Sequence, residues 1–175
     1  MSTYKIDPLH SEIEFKIKHL MISTVNGRFG VFDASMESSK ADFTDAKIWF
    51  ECDVDSINTG VADRDAHLRT PDFFDTAKWP KIKFSSTAIK HKGGQNYELI
   101  GDFTIRDVTR QITLGCVFGG SDVDAYGQTK YGFDLSGVVK RSEFGLTFQA
   151  YGGAGSAMVG DEVKILVSVQ MTKVA

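Results

Sequence analysis

Apolar and polar residues alternate over long stretches of this chain, and a period of two leaves little choice of local structure. Successive side chains point to opposite faces only in an extended strand, so each such run predicts a half-buried β-strand. The signal is clearest at Glu12–His19, with Ile13, Phe15 and Ile17 on one face and Glu14, Lys16 and Lys18 on the other. It returns at residues 46–54, where Ile48, Phe50, Cys52 and Val54 share a face, and at 97–105 with Leu99, Phe103 and Ile105. Residues 108–118 and 163–171 repeat it. Fainter versions run over 27–35 with Phe29, 81–88 with Ile82 and Phe84, and 130–140 with Phe133, and 146–151 adds a short piece.

Turn signals separate the runs. Asn26-Gly27 predicts a two-residue hairpin turn, residues 92–96 a glycine-rich hairpin, and 119–127 and 151–161 longer polar loops. Residues 58–80 break the rhythm. Asp63 is placed to cap a short helix over 64–69, which Thr70-Pro71 would stop. A second short turn over 72–77 would aim Phe73 and Phe74 inward.

About eight strands joined mostly by tight links predict antiparallel neighbours in a single all-β domain spanning the 175 residues. Closing them into a barrel removes exposed edges. Alternation by itself also allows a two-sheet sandwich. The chain carries 13 Phe, 17 Gly and only 3 Pro. Phe on the inward faces of several strands fits either a ligand-holding barrel or a core filled by its own rings.

The net charge of −3 argues against a general nucleic-acid binder, which needs a basic face for phosphates. Cys52 and Cys116 sit in apolar runs and read as buried reduced thiols, with a disulfide the minority reading. No stretch approaches a membrane span, so stable membrane insertion is not expected. The opening residues lack a secretory pattern, so the expected compartment is the cytoplasm, or the periplasm if a leader has been trimmed.

Catalytic motifs are absent from the sequence: no GxSxG, HExxH, P-loop or Rossmann glycines. Gly152-Gly153-Ala154-Gly155 precedes no evident helix. His10, His19, His67 and His91 have no close ligand spacing, so no metal is expected.

Several segments together resemble the YceI-like family. They are Asp7-Pro8-Leu9-His10-Ser11 followed by Gly27-Arg28-Phe29; Asp63-Arg64-Asp65-Ala66-His67-Leu68-Arg69; Asp72-Phe73-Phe74-Asp75; and Trp79-Pro80-Lys81-Ile82-Lys83-Phe84. Gly101-Asp102-Phe103-Thr104-Ile105 and Arg141-Ser142-Glu143-Phe144-Gly145 follow in the family's order. The resemblance implies an extended lipocalin-like barrel, which fits the about eight strands and the short helical crossover near 58–80 read above. It also implies a long amphiphile inside, of the polyprenyl lipid or isoprenoid quinone class, held for carriage, storage or sequestration. No other cofactor and no catalysis are implied, and a homodimer is admitted.

On that reading the apolar walls are Ile13, Phe15, Ile17, Phe29, Ile48, Phe50, Phe73, Phe74, Ile82, Phe84, Leu99, Phe103, Ile105, Phe133 and Phe144. Arg64, His67 and Arg69 are the candidate donors for a polar head. Arg64 paired with Asp63 or Asp65 would instead only fix the short helix. Two further readings stay open: an enzyme using His67 with Asp65 or Arg64 on an apolar substrate, and an interaction module with a solid core.

Overall fold

The long alternating runs are strands, and neighbours run antiparallel because most links between them are too short for a crossover. The computed structural model describes residues 1–150 and 158–174. In chain order the elements are β1 (Ser2–Ile6), β2 (Glu12–His19), β3 (Ser23–Phe29), β4 (Phe32–Ser38), β5 (Lys47–Asp53) and a brief β6 (Ile57–Asn58). Helix α1 (Ala62–Leu68) follows, then β7 (Lys81–His91), β8 (Asn96–Ile105), β9 (Val108–Val123), β10 (Thr129–Lys140) and β11 (Val159–Lys173).

Strands β1, β4, β5, β7, β8, β9, β10 and β11 bond in that order, and β11 returns to β1. The eight strands therefore close into an antiparallel barrel, and the sandwich alternative does not hold. At the seam Tyr4 lies opposite Lys173 and Ile6 opposite Met171. Strands β2 and β3 prolong the wall beyond β1 and β4: Ile13 faces Val167 on β11, and Phe15 faces Gly27 on β3.

The break between β1 and β2 is built by Asp7. Its carboxylate accepts from the Leu9 N–H at 3.1 Å and the Lys130 Nζ at 3.0 Å, and it pairs with the His10 ring at 2.9 Å. Pro8–His10 turns as a short 3₁₀ segment. Strand β1 has only Tyr4 and Ile6 in phase, too short a run to declare itself in the sequence.

The barrel has two unlike ends. The β4–β5, β7–β8 and β9–β10 links gather at one. The β2–β3 turn, the 54–80 crossover, the β8–β9 turn and the segment after β10 gather at the other.

Four sequence expectations need correction. Asn26-Gly27 is not a turn: it lies inside β3, and the turn falls at Leu20–Ile22, ahead of that strand. Gly27 stands directly opposite Phe15, and a Cβ on it would overlap the Phe15 ring. The glycine serves a close approach rather than a reversal.

Helix α1 begins at Ala62 behind an N-cap of Val61, and Asp63 makes no cap. The anchor is Asp65, whose buried carboxylate accepts from the Thr59 N–H at 2.9 Å and the Thr59 hydroxyl at 2.5 Å. The predicted loop over 119–127 shrinks to residues 124–128, because β9 continues to Val123. A register shift at Gly132/Phe133, with Gly120 at φ +110°, absorbs the irregularity as a bulge. Residues 146–150 are not strand. Tyr151, Gly152-Gly153-Ala154-Gly155 and the greater part of the predicted 151–161 loop lie outside the described residues.

Candidate functional site

The inward faces of the strands do not meet in the middle. They enclose a chamber of about 540 Å³, within the size range of small-molecule sites. This answers the question alternation left open: the aromatic rings line a cavity instead of filling the barrel solidly.

Around the middle of the chamber stand Ile48, Phe50, Ile82, Phe84, Leu99 and Phe103, and toward the open end Ile13, Phe15, Ile17, Phe29, Phe73, Phe74 and Ile105. Phe133 lies toward the other end. Local sequence explains how the rings fit. Phe84 lies over Gly101 of β8, where a Cβ would overlap its ring, just as Phe15 lies over Gly27. Phe144 does not reach the chamber. It is 1% exposed and packs edge-to-face behind Phe103, centroids 5.4 Å apart, so it supports the wall from outside.

One end is shut. Phe43, in the β4–β5 link, turns inward and is 3% exposed. Its ring meets Tyr4, Phe118, Tyr131 and Phe133 edge-on, with centroids 5.5–5.9 Å apart. Its backbone is left-handed at φ +60°. Asp45 locks the link by accepting from the Ser38 hydroxyl and from the Ser39 and Lys40 N–H groups. The Ser38 bond, followed by that from Ser39, holds the Asp45 carboxyl down to about 2.

The other end carries the polar groups. Arg64 reaches the chamber lining, and Thr59 anchors one side of its guanidinium: Nε donates to the Thr59 hydroxyl at 2.7 Å and Nη2 to the Thr59 carbonyl at 2.6 Å. Neither Asp63 nor Asp65 pairs with it directly; Asp65 works through Thr59. His67 also lines the opening, bonded to Asp72 at 2.9 Å and edge-on to Phe73 and Phe148. Arg69 points elsewhere, onto the carbonyls of Asp55 and Ile57, where it pins the crossover to the strand below.

Arg141 is the buried cation at this end. It donates to the carbonyls of Gly160, Leu146 and Phe148 at 2.9, 2.7 and 2.8 Å, tying together the segments that flank the opening. Burial, partly opposed by Asp161, pushes its pKa down. On the outer side of the crossover, Arg106 donates to the Phe73 carbonyl at 3.2 Å and stacks on Trp79.

Cys52 and Cys116 both line the chamber as free thiols. Burial pushes Cys52 up to about 12 and Cys116 up to about 11, so both behave as small apolar wall elements. Among the described residues no three His, Cys, Asp or Glu gather closely enough to hold a metal ion. No helix there is long and apolar enough to cross a membrane.

Sequence reasoning missed part of the wall. The inward row of β11 (Val163, Ile165, Val167, Val169 and Met171) alternates plainly and could have been chosen. Phe43 and Phe148 lie in irregular segments with no period to flag them.

A closed, eight-stranded antiparallel barrel around an apolar chamber defines a lipocalin-like protein. The chain belongs to the YceI-like domain family, whose pattern matches residues 4–171. A UPF0312 protein of Staphylococcus epidermidis is 35% identical over 173 residues, 98% of each chain. Among solved structures, BcnA of Burkholderia cenocepacia superposes with a TM-score of 0.81 at 24% identity, over 94% of this chain and 98% of that one. A YceI protein of Campylobacter jejuni gives 0.76 at 27% identity over 90% of each. A polyisoprenoid binding domain from Saccharophagus degradans shares the fold with a TM-score of 0.73 at 14% identity, over 98% of both chains.

Proposed function

We propose that this protein binds a long apolar amphiphile of the polyprenyl lipid or isoprenoid quinone class in its barrel, for carriage, storage or sequestration. The observation that carries the reading is the chamber itself: continuous, walled by aliphatic and aromatic side chains, shut at Phe43 and polar only toward its opening. The Saccharophagus domain described as polyisoprenoid binding has the same architecture, which supports the ligand class.

The energetics suit a ligand with a long tail. Each methylene moved from water onto such walls stabilises by ~0.8 kcal/mol. About fifteen would contribute on the order of 12 kcal/mol, from which immobilising the ligand takes back several. Tight binding therefore needs few polar contacts. At the opening Arg64 and His67 are the groups for the ligand's head, with Arg64 held ready by Thr59 and His67 by Asp72.

Binding rather than catalysis is the reading the geometry favours. The sequence allowed a pair of His67 with Asp65 or Arg64, but Asp65 is committed to Thr59 and His67 instead meets Asp72 at the rim. A homodimer rests on the family resemblance.

The test is organic extraction of purified protein and mass spectrometry beside a mock purification. A single enriched species with a polyprenyl tail is the expected result. A different long-chain amphiphile would keep the chamber and replace the isoprenoid class. An empty extract, with no rise in melting temperature on adding prenyl lipids, would overturn the reading.

A further inference from the structure

We propose that the β2–β3 turn is a membrane-docking tip that seats the open end of the barrel on an anionic lipid bilayer. The turn is Leu20-Met21-Ile22, closed by the Ile22 N–H donating to the His19 carbonyl at 3.1 Å. Leu20 and Met21 are both left-handed, at φ +53° and +59°. A tight turn of this shape is the natural place for Asn-Gly, and bulky side chains are disfavoured there. Yet Met21 is 64% and Ile22 82% exposed, so neither gains burial from the fold. Apolar side chains held outward on a strained turn mark a contact surface.

Charge around the tip points to the partner. The net charge of the protein is −3, but no Asp or Glu occurs between Phe15 and Phe32, while Lys16, Lys18 and Arg28 fall there and are exposed. Lys16 and Lys18 share the outward face of β2, and Lys164 of β11 stands opposite Lys16. Farther from the tip Arg28 faces Glu14, and the acids of β11 beside Lys18 are engaged elsewhere, Asp161 with Ser142 and Glu162 opposite Lys140. Two exposed apolar residues with Lys16, Lys18 and Lys164 along one flank match the headgroup–acyl boundary of an anionic bilayer. A stable protein partner would need a complementary surface of on the order of 1,000 Å², which a three-residue turn does not offer.

The tip is also placed for transfer. The Leu20 N–H donates to the Met158 carbonyl at 2.9 Å, and Met158, His19 and Val25 line the chamber. The exposed residues therefore stand beside the opening, and docking would bring the chamber's entrance to the acyl region from which a lipid could enter. That step rests on the lipid-binding reading; the docking itself does not.

The experiment is flotation of the full chain with vesicles of phosphatidylcholine, with and without phosphatidylglycerol. Binding of a water-dispersed prenyl alcohol is measured in parallel without vesicles. The wild type should float with the anionic vesicles, less so in high salt. Met21→Gly with Ile22→Thr should reduce flotation by about tenfold or more, while its melting temperature is unchanged or higher and its prenyl alcohol binding is kept. Lys16→Glu should weaken flotation selectively for the anionic vesicles.

Wild-type protein that binds prenyl alcohol but stays in the pellet fraction would overturn the docking proposal. So would a Met21→Gly, Ile22→Thr variant that floats like the wild type, or a tip that mediates self-association and not flotation. Wild-type protein that floats but binds no prenyl alcohol supports docking and removes the lipid-binding reading instead.

Discussion

Phe43 meets Phe133 edge-to-face, with ring centroids 5.5 Å apart and planes at 76°, and this contact closes the barrel from within. Phe133 belongs to β10, beside its bulge, while Phe43 comes from a link whose backbone turns left-handed to deliver the ring. The stopper depends on that one conformation.

Replacing Phe43 with Ala should therefore cost about 3–5 kcal/mol of stability through the lost ring contacts. Phe43→Gly should be the milder change, by about 1 kcal/mol, because glycine accepts φ +60° without strain. Urea denaturation of both variants checks the order. An alanine variant as stable as the glycine variant would mean that the backbone does not hold this conformation.

The Asp45 carboxylate that fixes the same link gives it an acid limit. Its carboxyl is held down from an ordinary value of 3.8 to about 2 by the bonds from Ser38 and Ser39. A depressed carboxyl stabilises fully above its unfolded value, and that contribution fades as the pH falls from about 4 through about 2. Near-ultraviolet circular dichroism of the aromatic cluster should change over this window, and Asp45→Asn should abolish that step.

Both chamber thiols should resist alkylation by iodoacetamide at pH 8 in the folded protein and react promptly in denaturant. The thiolate is the nucleophile, and burial raises Cys52 to about 12 and Cys116 to about 11. The sign of the linked stability follows. The fold holds the neutral thiol, so this contribution is intact below pH 9 and is lost as the pH rises toward those values. Rapid labelling of native protein at pH 8 would show that the chamber is wetter or more open than its walls imply.

Gly27→Ala should destabilise by about 1–3 kcal/mol, because the new methyl overlaps the Phe15 ring. Adding Phe15→Leu should recover part of the loss, giving a double variant less destabilised than the sum of the two singles. Full additivity in thermal melts would mean that the two residues do not compete for the same space.

The strands were legible because burial on one face imposes a period of two, and β2, β5, β8 and β11 carry it over many residues. The crossover was legible as an interruption with Phe73 and Phe74 directed inward, although its helix starts earlier than Asp63 suggested. Most of the wall follows from the same alternation. Arg69 and Phe144 were harder to place, because a motif gives residue type and order but not direction. Arg69 turns to the carbonyls of Asp55 and Ile57, and Phe144 stands behind Phe103.

The sequence by itself determined the all-β class, the strand faces and the family. Those depend on local patterning and on residues read in order. Tertiary structure alone decided that the sheet closes, that its interior stays open and that one end is shut. Closure depends on Tyr4 meeting Lys173 across the whole length of the chain. The stopper depends on Phe43 finding Tyr4, Phe118, Tyr131 and Phe133 from three different strands. The turn between β2 and β3 escaped Asn26-Gly27 for the same reason. Room for the Phe15 ring inside the barrel outweighed a local preference for reversal, and the reversal fell on three apolar residues at the rim.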